Sequence, residues 1–252
     1  MKIIAEIGLN HLGSESIALE YVHALLHTPI DGISFQIRED SFYDESTSFQ
    51  KKLSHNFYSD ISKTIKEENK EIGFAIAEED EVDNFFSLKP NFWKTLSWDL
   101  DNISLQEKLS STNILRYVST GISDMNALLD FASRNSNFEF IHTSLSDKMA
   151  DQNLRCIKSI FDNSKIKTAF GLHCTLELAA YVSVSFNPSA ILFYVKLDSN
   201  RHFPDSGHAI DIEKLDSFLN NIQISKELLG SGTKDKKPYS LKGQVVPSWV
   251  AK

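Results

Sequence analysis

Eight times along this chain a short apolar, β-rich run is followed by a longer stretch whose apolar residues recur at helical spacing. The strand-like runs fall at 2–8, 32–37, 72–77, 92–97, 115–120, 139–143, 167–172 and 190–196. The helical stretches fall at 15–27, 54–69, 80–88, 104–110, 124–134, 150–161, 176–186 and 212–229. The strand-like runs are continuously apolar and do not alternate, which belongs to strands covered on both faces of a parallel sheet. Eight such βα units in one domain-length chain predict the α/β class and a closed (β/α)8 TIM barrel. The alternative is an open doubly wound sheet, which usually carries a Gly-rich phosphate fingerprint after its first strand. Gly8-Leu9-Asn10-His11-Leu12-Gly13 lacks the GxGxxG spacing.

At 252 residues the chain has room for one barrel and little more. The expected organisation is a barrel over 1–230 and a tail or linker over 231–252. Helix starts carry capping residues at Ser14, Ser54 and Ser123-Asp124, and Gly230-Ser231-Gly232 ends the last helix. The polar stretch 40–52 reads as a long loop after the second strand, on the face where barrel chemistry sits.

The formal net charge is −8, and no concentrated basic face is visible, so nucleic acid is not an expected partner. The densest basic run, Lys234-Asp235-Lys236-Lys237, reads as solvated tail. Cys156 and Cys174 form no short-spaced metal or redox pair, and two cysteines fit a reducing cytoplasm. No apolar segment of signal-peptide type opens the chain, and no run reaches the roughly 18 apolar residues of a membrane span.

Barrel chemistry gathers at the C-terminal ends of strands. Here those ends are rich in polar groups. Strand one carries Glu6 inside an apolar run and then Asn10-His11, and strand two ends in Phe35-Gln36. Strand four carries Lys94, followed by Ser97, Asp99 and Asn102. Later ends bring Ser119-Thr120-Gly121, His142-Thr143-Ser144 and His173-Cys174-Thr175, and Asp198, Arg201, Asp205 and His208 follow strand eight. A buried carboxylate and a buried ammonium are costly unless paired. Glu6 and Lys94 are therefore either one structural ion pair across the barrel or part of a pocket for an anionic, hydroxylated ligand. Four histidines near these ends (His11, His142, His173, His208) favour a site.

The stretch Ile3-Ile4-Ala5-Glu6-Ile7-Gly8-Leu9-Asn10-His11-Leu12-Gly13 resembles the opening motif of the sialic acid synthase family. Further resemblances follow in family order. Ser34-Phe35-Gln36 stands for Lys-Phe-Gln. The run from Trp93 to Asn102 resembles Tyr-Lys-Ile-Ala-Ser-Gly-Asp-Leu-Thr-Asn. Ser119-Thr120-Gly121-Ile122 resembles Ser-Thr-Gly-Met, and His142-Thr143-Ser144 resembles His-Cys-Thr-Ser. Asn153-Leu154 and Phe170-Gly171 also match.

The resemblance implies condensation of phosphoenolpyruvate with the open-chain carbonyl of an N-acetylated hexosamine, giving a sialic-acid-like 2-keto-3-deoxy acid and phosphate in carbohydrate biosynthesis. It implies a divalent metal, manganese or magnesium, and a homodimer. Carried onto this chain, the catalytic residues would be Glu6, Lys94 and His173. Substrate binding would fall to Asn10, His11, Gln36, Ser97, Asp99, Ser119, Thr120, His142, Thr143, Asn153 and Thr175. Lys94, Ser119 and Asn153 would hold phosphoenolpyruvate, and His173 and His208 would be the metal ligands.

The chain also departs from the family pattern. The second-strand Lys is Ser34, and the third strand Phe74-Ala75-Ile76-Ala77 lacks the usual hydroxyls. Asp-His-Thr at the seventh turn reads His173-Cys174-Thr175, and the eighth-strand Glu-Lys-His-Phe reads Phe193-Tyr194-Val195-Lys196. His208 stands two residues later than the corresponding Pro-Asp-His would put it. The last residues, Pro247 to Lys252, resemble the approach to a small antifreeze-like domain whose Arg serves the partner's sugar site; that Arg is not in this sequence. These departures motivate a second expectation, a relative that binds a sugar or anion, or scaffolds other enzymes, without condensation.

Overall fold

The computed structural model describes residues 1–45, 52–198 and 202–233. The basic run at 234–237, the rest of the tail and Arg201 lie outside the described residues. The eight predicted strands are present as β1 (Lys2–Gly8), β2 (Gly32–Ile37), β3 (Glu71–Ile76), β4 (Phe92–Thr95), β5 (Leu115–Ser119), β6 (Phe138–His142), β7 (Thr168–Leu172) and β8 (Ala190–Lys196). Each pairs in parallel with the next, and β1 closes the ring by pairing with β8. The chain is a (β/α)8 TIM barrel. A two-residue strand, β9 (Ile210–Asp211), extends β8 beyond the ring.

The helices are α1 (Glu15–Leu26), α2 (Asp40–Glu45), α3 (His55–Glu67), α4 (Asp80–Phe86), α5 (Ile103–Ser111), α6 (Met125–Arg134), α7 (Arg155–Ser164), α8 (Leu178–Ser183) and α9 (Leu215–Leu229). Ser14, Ser54 and Asp124 cap their helices by accepting from Ile17, Phe57 and Ala127 N–H. The stretch 40–52, expected to be loop, contains α2, while 46–51 lie outside the described residues. The sixth helical stretch was expected from 150. Instead, Met149–Gln152 forms a 3-10 turn, Asn153 adopts φ 34°, and α7 starts at Arg155. The left-handed residue breaks the helical path.

Alternation along each strand decides what enters the barrel. Ile4 of β1, Phe92 of β4, Tyr117 of β5 and Leu192 of β8 pack together in one buried layer. Gly73 of β3 has no side chain because a Cβ there would lie 2.0 Å from the Phe92 ring. Burying a ring of this size stabilises by about 1.5–3 kcal/mol. Two residues further along the same strands, the inward positions become Glu6, Lys94, Ser119 and Tyr194. The apolar layer is therefore the floor on which the polar layer stands. A larger apolar cluster between strands and helices includes Ile33, Phe35, Phe74, Trp93 and Phe193.

Candidate active site

The polar layer opens upward into a cavity of about 280 Å³ at the C-terminal ends of the strands. Gln36, Lys94, Ser97, Ser119 and His173 line it, joined by Arg38, Trp98, Tyr194 and Asp205. A larger hollow of about 960 Å³ lies at the opposite end, lined by Met1, Lys2, Lys158 and Phe161. Volume favours that hollow, but chemistry favours the smaller cavity. Lys2 and Lys158 are already paired with Glu71 and Asp162, and the N-terminal face of a barrel carries stability, not reaction.

Lys94 and Glu6 are both buried, and Lys94 Nζ donates to Glu6 Oε2. The register brings them to one level, because Glu6 lies beside Tyr194 on β8 and Lys94 beside Tyr117 on β5. Lys94 and Glu6 form an ion pair, and Lys94 also lines the cavity. The Tyr194 hydroxyl lies 3.5 Å from Lys94 Nζ. Burial, followed by the charges of Glu6 and Asp205, pushes that phenol well above its ordinary range, so it remains a neutral donor.

Ser97 and Ser119 hydroxyls lie 2.9 Å apart on the cavity wall. His173 after β7 and His208 after β8 stack with ring centroids 4.5 Å apart and planes at 21°. Tyr194 meets both rings edge-on. Burial, then the Lys94 charge, holds both imidazoles low, His208 at about 4. Asp205 is raised to about 7, by burial first and then by Glu6.

The other predicted residues are placed differently. Asn10 is a strut: its Nδ2 donates to the Val195 carbonyl at 2.8 Å and its Oδ1 accepts from Asp205 N–H at 3.0 Å. His11 Nδ1 accepts from Gly13 N–H. Asp99 accepts from Leu96 N–H, and burial raises it to about 6. Thr120 and Thr143 donate to the Ile141 and Gly171 carbonyls. His142 Nε2 pairs with the Gln152 carbonyl at 2.9 Å. Asn153 and Thr175 are exposed and line no part of the cavity. The sequence reading thus brings Glu6, Gln36, Lys94, Ser97, Ser119 and His173 together and scatters the rest into the supporting turns.

Arg38, Phe42, Trp98 and Tyr194 are among the cavity residues that sequence reasoning missed. Tyr194 was visible as the residue two places beyond Leu192 on an inward-facing row. Arg38 carried a local signal, a cation four residues before Phe42.

Two acceptor atoms beside the stack, Asp205 Oδ2 and His208 Nε2, are buried without a hydrogen-bond partner. They are the atoms a metal would seek. Yet among the described residues no group of three or more His, Cys, Asp or Glu is arranged to hold an ion. An imidazole lone pair lies in the ring plane, so two stacked rings hold their lone pairs in nearly parallel planes that do not meet within bonding distance of both rings. Glu6 is engaged by Lys94. The residues present do not make up the expected His173–His208 metal site.

The profile of the NeuB family matches residues 26–234. The chain belongs to the NeuB family. An uncharacterized protein of Methanocaldococcus jannaschii is 28% identical over 249 residues, covering 94% of this chain and 74% of the relative. The N,N'-diacetyllegionaminic acid synthase of Legionella pneumophila is 23% identical, with the same two coverages. The crystal structure of an N-acetylneuraminic acid synthetase from Leptospira borgpetersenii superposes with a TM-score of 0.84 at 18% identity, covering 93% of this chain and 87% of that one. That likeness supports the barrel fold. Other relatives include the pseudaminic acid synthase of Helicobacter pylori, 23% identical over 95% of this chain and 78% of the relative. No helix among the described residues is long and apolar enough to cross a membrane.

Proposed function

We propose that the mouth of this NeuB-family barrel condenses phosphoenolpyruvate with the open-chain carbonyl of an N-acetylated hexose, giving a sialic-acid-like 2-keto-3-deoxy sugar acid and phosphate. The observation that carries this reading is Lys94: a buried ammonium on the cavity floor, paired on one side by Glu6 and facing the cavity on the other. A cation in a dry pocket attracts a carboxylate or phosphate far more strongly than one in water. The paired hydroxyls of Ser97 and Ser119 and the amide of Gln36 supply donors for the oxygens of the same ligand.

The residues divide the work as follows. Lys94 neutralises the bound anion, and Glu6 keeps the ammonium aimed. The neutral Tyr194 hydroxyl beside Lys94 offers a hydrogen bond to the carbonyl oxygen as the carbon–carbon bond forms. Water adds at the former enol carbon and the C–O bond to phosphate breaks, the two protons of water going to the new hydroxyl and to phosphate. The names of the Legionella relative and of the Helicobacter pylori pseudaminic acid synthase, 23% identical, point to the same product class. The reading includes a homodimer, as the family resemblance implies, and a cytoplasmic location, which the two cysteines fit. It is tested by incubating the protein with phosphoenolpyruvate and a panel of N-acetylated hexoses, with and without manganese, and following phosphate. Release that depends on the sugar supports it, and no release with any sugar rejects it.

A second reading is favoured by Asn153, the expected phosphoenolpyruvate ligand, which is exposed and away from the cavity. On that reading the barrel binds a sugar or anion, or scaffolds a partner enzyme, without turnover. Thermal shift separates the two: stabilisation by sialic acids with no response to phosphoenolpyruvate supports the second reading.

A further inference from the structure

We infer that Arg38 is a second anion anchor of the cavity, its free guanidinium edge clamping a phosphate or carboxylate opposite Lys94. The inference rests on the reading of the cavity as a site for a small anion, and it adds the residue that replaces the missing second-strand cation.

A guanidinium has two flat edges that can each meet an oxyanion with two parallel hydrogen bonds. In Arg38 the side edge is taken: Nε donates to Glu39 Oε2 at 2.8 Å and Nη2 to Glu39 Oε1 at 2.7 Å. Among the described residues no hydrogen bond ends on Nη1, so the end edge is open. The same side chain lines the cavity with Lys94, Ser97 and Ser119.

The group is also held still. Its guanidinium carbon lies 4.0 Å from the centroid of Phe42 and 5.7 Å from that of Trp98, so two aromatic rings lie within cation–π range of it. The Arg38 backbone N–H donates to the Tyr43 hydroxyl at 3.1 Å, which pins the start of α2. Lys52 donates to Asp40 Oδ1 at 2.8 Å and pairs with Glu81, tying α2 to α4. An arginine needed only for a surface ion pair with its sequence neighbour has no use for this scaffold. A preorganised fork facing a cavity that already holds one ammonium is the arrangement for a ligand with two anionic groups.

Glu39 is part of the same device. Its hydrogen bond from Arg38 keeps its carboxyl below the ordinary range, so it stays ionised and fixes the fork. The bound ligand shares the guanidinium with Glu39 and does not displace it, because the two use different edges.

Arg38→Met keeps the apolar stem on Phe42 and removes the fork. Arg38→Lys keeps the charge but cannot form two parallel bonds. Binding of phosphoenolpyruvate, inorganic phosphate and pyruvate to the full chain is measured by calorimetry, with melting temperature as a control on folding. The expected result is phosphoenolpyruvate affinity reduced about 10-fold or more in Arg38→Met, with a smaller loss in Arg38→Lys. Where phosphoenolpyruvate affinity falls, a parallel loss for inorganic phosphate but not pyruvate assigns the edge to phosphate, and a parallel loss for pyruvate but not phosphate assigns it to carboxylate. Phosphoenolpyruvate affinity within twofold of wild type in Arg38→Met overturns it, as does absence of binding of all three probes by wild type. If wild type binds phosphoenolpyruvate but releases no phosphate with any sugar, condensation is rejected while the Arg38 comparison still decides the anchor.

Discussion

A Cβ on Gly8 would lie 2.5 Å from Cε1 of Tyr194 and 3.1 Å from Oδ2 of Asp205. Gly8 ends β1 at φ +56°, where the β1–β2 register slips by one residue. The turn and the cavity wall therefore depend on one missing methyl group. Gly8→Ala is expected to destabilise the fold by on the order of 2–4 kcal/mol, from the left-handed backbone and the overpacked ring together. Urea denaturation measures it. In a Tyr194→Ala background the packing part of the cost should disappear and the backbone part remain. Equal costs in both backgrounds would show that Tyr194 is not the obstacle.

Lys94→Met is expected to strand a buried carboxylate. Breaking a buried pair from one side costs about 3–5 kcal/mol, because the remaining charge has no partner. Adding Glu6→Gln should recover most of that loss, while anion binding stays abolished. Denaturation gives the first quantity and calorimetry with phosphoenolpyruvate the second. A double variant that regains both stability and binding would contradict the role assigned to Lys94.

The barrel was legible because β1, β2 and β8 are continuous apolar runs, and burial on both faces leaves no polar register to confuse them. The site was legible only in part. Glu6 and Lys94 declared themselves as charges inside apolar strands. Thr120, Thr143 and Asn10 are polar for a different reason: they bond backbone groups where strands give way to turns. A motif fixes the neighbourhood of such residues but not the direction of their side chains. Asn153 sits exposed at φ 34° between the 3-10 turn and α7, outside the cavity lining, and a motif carries no signal of such a turn. Helix α2 escaped notice because six polar and aromatic residues, Asp40–Glu45, show no helical spacing of apolar groups, and Arg38 escaped with it.

Stability should fall as pH drops from about 6.5 to about 4, and His11 should carry about one proton of that slope. Burial lowers the folded His11 imidazole from 6.5 to about 4. Between those values the unfolded ring binds a proton that the folded ring refuses, so acid favours unfolding. The full difference, reached below about pH 4, is about 3 kcal/mol. His11→Asn keeps an acceptor for Gly13 N–H and removes the titration. Denaturation over a pH series should show a shallower slope in the variant by about one proton. Parallel curves would mean that His142, His173 and His208 account for the whole effect.

Manganese should neither stabilise this barrel nor be needed for anion binding. Catalytic zinc-type sites use three protein ligands, and their nitrogen ligands sit about 2.0–2.1 Å from the metal. The stacked rings of His173 and His208 cannot both meet that demand without one turning out of the stack. Turning it would also break an edge-on contact with Tyr194. Asp205, raised to about 7, carries a proton about half the time at neutral pH, which further weakens it as a ligand. Melting temperature measured with millimolar manganese and with chelator should coincide, and phosphoenolpyruvate affinity should be unchanged between them. The sinking result is a manganese-dependent rise with a micromolar midpoint that His208→Ala abolishes. It would mean that the stack opens to receive the ion and that the orphaned Asp205 Oδ2 and His208 Nε2 are its waiting ligands.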